Sequence, residues 1–243
     1  MYLLAIVNNM NDKFNNKYSF SGNEPLDGRI KKLFEESGFY DYVKYKGRRP
    51  IYSNSDSVKI VSGQISDPSI AKQMADFVID KAKIEKTKAS FIYVMMIEMM
   101  SNTHKHAYND NEFLLPQWYC FAEYDKKDII SFTFMDTGEG IPATVRKNFA
   151  EKLDFLKIIG EDKYVVSALK GAFRTSTAQK NRGKGLPKIR EFCKMKKICN
   201  MKILANRANV SVLEDTYTSC QLDLPLRGTL YYWQINISDL KGE

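Results

Sequence analysis

A methionine-rich run, KASFIYVMMIEMMSNTHKHAY (88–108), constrains the fold more than any other part of the chain. Its spacing predicts an α-helix whose four methionines require burial. On such a helix Glu98, Asn102 and His106 follow one another at intervals of four residues, so they line one face. A polar stripe on a helix that is otherwise suited to a core is costly unless protein groups, ordered water or a ligand with its metal satisfy it. The run therefore predicts a core helix that turns one polar stripe toward a partner.

The remaining segments mix helices and strands without a regular βαβ alternation, which favours an α+β fold with a mixed or antiparallel sheet over a Rossmann fold. We divide the chain into a small N-terminal α/β segment of unknown role, residues 1–66, and a larger domain, residues 67–243. Predicted strands are MYLLAIV, VKIVSGQIS, an antiparallel hairpin of LPQWYCFAEY and DIISFTFMD, and two or three strands in NMKILANRANVSV, SCQLDLPL and GTLYYWQINI. Predicted helices besides 88–108 lie in LDGRIKKLFEESGF, SDPSIAKQMADFVIDKAKI, DKYVVSALKGAF and LPKIREFCKMKK. The second begins with Asp67 as a cap and Pro68 in its first turn, and the third is a helical patch in a less regular region, residues 143–182.

The composition excludes some classes of function. No run approaches the roughly 18 apolar residues that span a bilayer, and MYLLAIV lacks the basic region and cleavage site of a signal peptide. We therefore expect a cytoplasmic protein with no membrane partner. The formal net charge of +8 allows nucleic acid as a partner. It does not favour one, because the basic residues are dispersed and no helix-turn-helix, zinc or RNP-type pattern accompanies them.

The polar stripe of the 88–108 helix offers two kinds of site. A histidine-ligated metal is not expected, because His104 and His106 are two residues apart and point in different directions on a helix. Glu98 and Asn102 are better candidates. An amide oxygen suits Mg²⁺, which binds few protein ligands, and a carboxylate one turn earlier could hold and deprotonate a water molecule. Many helices contain ExxxN by chance, so this pattern needs support from elsewhere in the chain.

Two glycine clusters follow. DTGEGIP comes directly after a strongly apolar strand, and its glycines would let a ligand approach the main chain closely, while the carboxylate of Asp136 could accept a hydrogen bond from an exocyclic amine. NRGKGLPKIREF places Gly183 and Gly185 before a helix, where backbone N–H groups form a natural phosphate site, and Arg182 and Lys184 add positive charge. Alone, each cluster would be interpreted as an ordinary turn or helix start.

In this order, ExxxNxxxH on a helix, DxGxGIP after a strand and GxG before a later helix resemble the GHKL ATPase family. This family includes gyrase, the large heat-shock chaperone, histidine kinases and the MutL mismatch-repair proteins. The resemblance covers about residues 67–237. It implies a Bergerat fold, an α/β sandwich in which helices cover a mixed sheet, with ATP and Mg²⁺ as cofactors.

The resemblance also implies roles for residues on the phosphate side. Glu98 would position or activate water, Asn102 would bind Mg²⁺, Lys105 would reach the phosphates and His106 would flank the nucleotide. A long lid, about residues 141–182, would close over the phosphates, although a solvated basic loop would explain its RTSTAQKNRGKG end as well. The lid end would cradle phosphate with Arg182, Gly183, Lys184 and Gly185, although Lys184 and Pro187 replace residues that are commonly small or apolar in the family.

On the base side, the resemblance implies that Asp136 accepts from the adenine N6 amine, directly and through water. Gly138 and Gly140 would make room for the base, and Ile141 would pack on its ring. RGTLYYWQI resembles the last family motif, in which Gly228 and Thr229 enter the final strand.

The sequence is compatible with several functions. The only histidines lie inside the nucleotide motif, and no phosphoacceptor hairpin or transducer domain is recognised, so we expect neither histidine autophosphorylation nor a gyrase, MutL or chaperone subunit. The preferred hypothesis is Mg²⁺-dependent ATP hydrolysis that opens and closes the lid and switches contacts with an unidentified protein partner. The alternatives are a serine/threonine kinase of the anti-sigma-factor type and a module that senses ATP without hydrolysing it.

Overall fold

The structure, a computed structural model, describes residues 1–14, 17, 22–43, 56–106, 117–173 and 185–242, with only the backbone for 104–106. The α+β class is confirmed. The strands are β1 (Ser57–Gly63), β2 (Trp118–Tyr124), β3 (Ile129–Asp136), β4 (Cys199–Leu213) and β5 (Thr216–Asn236). The helices are α1 (Tyr2–Lys13), α2 (Gly28–Glu36), α3 (Phe39–Tyr42), α4 (Pro68–Ala82), α5 (Lys86–His106), α6 (Ile141–Phe155), α7 (Glu161–Leu169), α8 (Gly185–Lys194) and α9 (Ile237–Lys241).

The described strands form one five-stranded sheet in the order β1-β2-β3-β5-β4. Each of its four pairings is antiparallel, which is one of the two sheet types that the residue pattern left open, whereas the family resemblance implied a mixed sheet. The hairpin predicted from LPQWYCFAEY and DIISFTFMD is confirmed as β2 and β3. Because β1 pairs with β2, the segment before residue 67 contributes an edge strand to the sheet.

The main core lies between one face of the sheet and helices α4, α5, α7 and α8. On β3 the alternate residues Phe132 and Phe134 point into this core. The methionines at positions 95, 96, 99 and 100 of α5 are buried there as well, as the run 88–108 predicted. Asp67 caps α4 by accepting from the Ser69 and Ile70 amides, which confirms the predicted helix start.

The second face of the sheet is covered by the N-terminal helices. Leu4 and Ala5 of α1 pack in one cluster with Tyr119 of β2 and Met135 of β3, which point away from the main core. Asn8 of α1 donates from Nδ2 to the Tyr119 hydroxyl at 2.9 Å. Residues near the N-terminus therefore complete a helix–sheet–helix sandwich on the β1–β2–β3 side.

The prediction of a first strand in MYLLAIV is wrong, because these residues begin α1. A short apolar run cannot be assigned to strand or helix by periodicity alone. Leucine, alanine and methionine are strong helix formers, and only Ile6 and Val7 of this run are β-branched. The adjacent residues Leu4 and Ala5 are both buried, so α1 presents a narrow helical face to the sheet.

The segments SCQLDLPL and GTLYYWQINI form one continuous strand, β5, so the last three segments make two strands, the lower of the two predicted numbers. Register shifts next to Asn206 of β4 accommodate the part of β5 that contains Pro225 and Gly228. Proline has no backbone N–H to donate to a neighbouring strand. Pro225 precedes the part of β5 that pairs with β3, so β3 loses no hydrogen bond. No helix in the described ranges has both the length and the apolar content needed to span a bilayer.

Candidate functional site

The end of β3 gathers the first group of site residues around one buried carboxylate. Asp136 is the last residue of β3, its exposed fraction is 7%, and it pairs with Thr229 of β5. Even-numbered residues of β3 face the helix-covered core, so the carboxylate points to the same side of the sheet as α5. This Asp136 cluster consists of Asp136, Gly138, Gly140, Asn206, Gly228 and Thr229.

Hydrogen bonds hold the Asp136 carboxylate in place. The Gly138 amide donates to Oδ1 at 2.9 Å, and the backbone and hydroxyl of Thr229 also donate to the carboxylate. Burial raises the pKa of Asp136 to about 6, because desolvation disfavours its charge more than these donors favour it. At neutral pH the group is therefore an ionised acceptor that is almost free of water.

Two glycines allow the backbones around Asp136 to approach one another. Gly228 has φ +85°, and a Cβ on it would lie 2.0 Å from the Asp136 carbonyl oxygen. Gly140, at the N-terminus of α6, has φ +87°, and a Cβ there would lie 2.5 Å from Oδ1 of Asn206. Both positions combine a left-handed backbone with no space for a side chain. The space beside Gly140 is thus filled by Asn206 and by the Gly228 carbonyl.

Asn206 connects the DTGEGIP loop to β4. Its Nδ2 donates to the Glu139 carbonyl at 2.9 Å, and its Oδ1 accepts from the Ala143 amide at 3.4 Å. The side chain therefore joins the turn that follows Asp136 to the first turn of α6. Asn206 itself has φ +50°, a conformation that asparagine tolerates better than most residues.

A second group of residues lies between α5 and α8. A Cβ on Gly185 would lie 3.1 Å from Oε2 of Glu98 and 3.5 Å from Nδ2 of Asn102, so the start of α8 packs directly on the polar stripe. Lys188 donates from Nζ to Oε1 of Glu98 at 2.8 Å. This Glu98 cluster consists of Glu98, Asn102, Gly185 and Lys188.

Contacts at both ends of α5 fix its direction along the sheet. Near its start, Lys88 donates to the carbonyl of Lys241 at 3.0 Å. Lys241 is the last residue of α9, and α9 directly follows the end of β5 at Asn236. Asn236 pairs with Ile129, the first residue of β3. The first turn of α5 therefore lies at the beginning of β3.

The other end of α5 lies at the end of β3. Ser101 is 3.2 Å from Ser66 between the two hydroxyl oxygens, and the neighbouring Ile65 carbonyl accepts from Trp118 Nε1 at 2.9 Å. Trp118 pairs with Asp136. The Glu98 and Asp136 clusters therefore lie at the same end and on the same face of the sheet.

The remaining predicted site residues have different outcomes. Ile141, the first residue of α6, is partly buried between the main core and a smaller cluster. The side chains of Lys105 and His106 lie outside the described residues, although the backbone of both belongs to α5. Arg182, Gly183 and Lys184 lie outside the described residues altogether.

The segment expected to be a lid is mostly helical where it is described. Residues 141–155 form α6 and residues 161–169 form α7, whereas the sequence indicated a less regular region with helical patches. The two helices have an apolar cluster of their own, formed by Val145, Leu153, Ala168 and Phe173. The part that contains RTSTAQKNRG, residues 174–183, lies outside the described residues.

Sequence reasoning missed two residues of the site. Asn206 is separated from Glu139 by 67 positions, and Lys188 from Glu98 by 90 positions. No local pattern connects these partners. Lys188 stands three residues after the predicted Gly185, one helical turn later, and this spacing was the only available indication that it could reach the same place.

Two other features bear on the location of a ligand site. No group of three or more His, Cys, Asp or Glu side chains gathers within the described ranges. This does not exclude Mg²⁺, which needs few protein ligands. A groove of about 600 Å³ lies between α4 and α5, beside Lys72, Ile79 and Tyr93, and its described lining includes no member of either cluster.

Comparison with known proteins gives no family for the chain: no protein-family model matches it, and neither does any curated protein.

Proposed function

We propose that the protein binds ATP in the manner of GHKL ATPases and hydrolyses it with Mg²⁺. The observation that supports this best is the meeting of two clusters at one end of the sheet. One cluster contains a buried carboxylate, and the other contains a carboxylate, an amide and the glycine start of a helix. The members of each cluster come from distant parts of the sequence, and they follow the order of the motifs from which the resemblance was inferred.

The Asp136 cluster is suited to an adenine base. A carboxylate that is buried and ionised at neutral pH favours a partner with an N–H donor, and the exocyclic N6 amine of adenine is such a donor. Thr229 and Gly138 hold the carboxylate in position, so that its geometry does not depend on the ligand. A preorganised acceptor of this kind selects for bases that carry an amine.

The Glu98 cluster is suited to the phosphates and their metal. Asn102 offers an amide oxygen to Mg²⁺, which would also be held by phosphate oxygens and water. Gly185 begins α8 beside Glu98 and Asn102, and its N–H belongs to the free, positively polarised end of the helix. Glu98 would accept the proton of the attacking water.

Hydrolysis would act on the segment that begins with α6, in which α7 stays anchored in the main core by Val165 and Leu169 and α6 would move. This segment starts at Gly140 in the Asp136 cluster and leads toward Gly185 in the Glu98 cluster, so it joins the two ends of the proposed nucleotide site. Closure of the segment over ATP, and its release after hydrolysis, would switch contacts with a protein partner. The partner remains to be identified.

Thermal denaturation with and without Mg-ATP tests the binding part of the proposal. We expect the melting temperature to rise with the logarithm of ATP concentration, and Asp136→Asn to abolish this rise. The exposed Asp12 on α1 provides a matched control, because Asp12→Asn makes the same chemical change on the opposite face of the sheet. Equal stabilisation of the wild type and Asp136→Asn by ATP would contradict the assignment.

Phosphate release by the purified protein tests the hydrolysis part. Glu98→Ala should still gain stability from Mg-ATP but release no phosphate. If radiolabel from the γ-phosphate instead appears on a co-purifying protein, the activity is that of a protein kinase. If neither product forms while binding remains, the protein senses ATP without hydrolysing it. Affinity capture with and without ATP then identifies the partner.

A further inference from the structure

Lys188 occupies one oxygen of the carboxylate to which the proposed function assigns the proton. Its ammonium donates to Oε1 of Glu98 at 2.8 Å, while Oε2 faces the first residue of α8, Gly185. A lone pair that accepts a hydrogen bond from an ammonium is occupied, so it cannot accept a proton from a water molecule at the same time. In this arrangement Oε1 of Glu98 is positioned by Lys188 but is not free to take a proton from water.

The ion pair is placed where it can be exchanged. The side chain of Lys188 is 44% exposed and that of Glu98 is 24% exposed, so neither is locked in the core. Pairs with such exposure contribute a small amount of stability, which is enough to measure but small enough to be exchanged for another contact. A phosphate group carries more negative charge than one carboxylate and offers three oxygens, so it competes well for an ammonium on a flexible stem.

Lys188 is also within reach of the position that a terminal phosphate would take. It lies one turn after Gly185 on the same side of α8. Gly185 in turn lies beside Asn102, the proposed Mg²⁺ ligand. The ammonium, the metal ligand and the carboxylate therefore surround one small region.

Resting on the proposed function, we propose that Lys188 makes the site respond to the terminal phosphate of ATP. With no nucleotide or with ADP, the Lys188 ammonium remains on Glu98. When ATP binds, the ammonium moves to an oxygen of the terminal phosphate and stays protonated. Glu98 is then free to take the proton of the water whose oxygen attacks the terminal phosphorus, while the bond from this phosphorus to the bridging oxygen breaks and ADP leaves.

Binding of a non-hydrolysable imido analogue of ATP and of ADP, both with Mg²⁺, tests this proposal in the full chain. The wild type should prefer the analogue over ADP. Lys188→Met should reduce that preference at least roughly tenfold, because a charge-assisted contact to the terminal phosphate is lost, while ADP affinity changes little. Lys188→Arg should restore part of the preference. The rate of ATP hydrolysis by Lys188→Met should fall by a larger factor than its affinity for the analogue does.

Lys194→Met is a matched control on the same helix. The side chain of Lys194 is 40% exposed and it also forms an ion pair, with Asp215 at 3.5 Å. This substitution should leave the preference for the analogue unchanged. Thermal denaturation of each variant without ligand shows whether it is folded, and Lys188→Arg retains a cation if Lys188→Met is unstable.

A double-mutant cycle of Glu98→Gln and Lys188→Met follows the exchange directly. Without ligand and with ADP, the effects of the two substitutions on the melting temperature should not add up, which shows that the side chains interact. With the imido analogue, the two effects should add up. An unchanged preference for the analogue in Lys188→Met, or coupling that persists with the analogue, would show that Lys188 only ties α8 to α5. If the wild type binds no nucleotide, or if Asp136→Asn binds it equally well, the proposed function itself is overturned.

Discussion

Gly228 and Asp136 touch through their backbones. A Cβ on Gly228 would lie 2.0 Å from the carbonyl oxygen of Asp136 and 2.9 Å from its carbonyl carbon. Because the neighbouring atoms belong to the main chain of β3, they cannot rotate away as a side chain could. The close approach of β5 to β3 beside the buried carboxylate therefore depends on a residue without a side chain.

We predict that Gly228→Ala destabilises the protein by several kcal/mol, on the order of 3 or more, because it combines a left-handed backbone with a direct clash. Urea denaturation measures the loss as a decrease in the free energy of unfolding. Gly28→Ala is the matched control, because Gly28 begins α2 and a Cβ there meets nothing within 4 Å. This control should change the free energy of unfolding by less than about 1 kcal/mol. Similar values for both variants would contradict the described contact.

The pKa of Asp136 predicts how stability changes with pH. Its pKa is raised from 3.8 to about 6 on folding, so the folded state binds the proton more tightly than the unfolded state. The resulting stabilisation is present below the unfolded pKa and is lost as the pH rises through about 6. Between about pH 4.5 and pH 7.5, the free energy of unfolding of the wild type should therefore fall by about 2 kcal/mol relative to Asp136→Asn. A difference between the two proteins that stays constant with pH would show that burial does not shift this group.

Base selectivity should change over the same pH range. In the proposed site, ionised Asp136 would accept from the N6 amine of adenine, whereas protonated Asp136 could donate to the O6 oxygen of hypoxanthine. The ratio of ATP to inosine triphosphate affinity should thus be highest above about pH 7 and fall as the pH drops through about 6. The two nucleotides carry the same phosphates, so titration of the phosphates cancels in the ratio. A ratio independent of pH would place the base away from Asp136.

Asn206 should stabilise the loop after Asp136 through both ends of its amide. Asn206→Asp keeps an acceptor for the Ala143 amide but loses the donor to the Glu139 carbonyl, so we expect a loss of about 1 kcal/mol. Asn206→Ala removes both bonds and places alanine at φ +50°, and should cost roughly 2–3 kcal/mol. Chemical denaturation measures the series. Equal losses would show that the Glu139 bond alone carries the effect.

The sequence predicted the parts of the fold whose cause is local. The α4 cap at Asp67, the burial of the α5 methionines and the β2–β3 hairpin each follow from a few neighbouring residues, and the structure confirms them. The error at α1 has a physical explanation. Its burial depends on Tyr119 and Met135, which lie more than a hundred positions away, and the run itself is compatible with both strand and helix.

The candidate site was predictable to a similar extent. Asp136, Glu98 and Asn102 stood in patterns that could be compared with a family, and the structure brings Gly185 to the last two. Lys188 and Asn206 could not be found in this way, because their roles come from side chains that reach across elements. The assignment of these residues to ATP stays a prediction, to be decided by the binding experiments.

The contact between Gly228 and Asp136 also indicates where a signal can arise. Two main chains packed this closely have one relative position, so the base end of the proposed site cannot differ between nucleotide states. The pairing of Lys188 with Glu98, by contrast, joins α8 to α5 through side chains that can separate. We therefore expect a partner that distinguishes ATP from ADP to make contact beside α8, toward which the segment that begins with α6 leads, and to find the junction of β3 with β5 unchanged throughout the cycle.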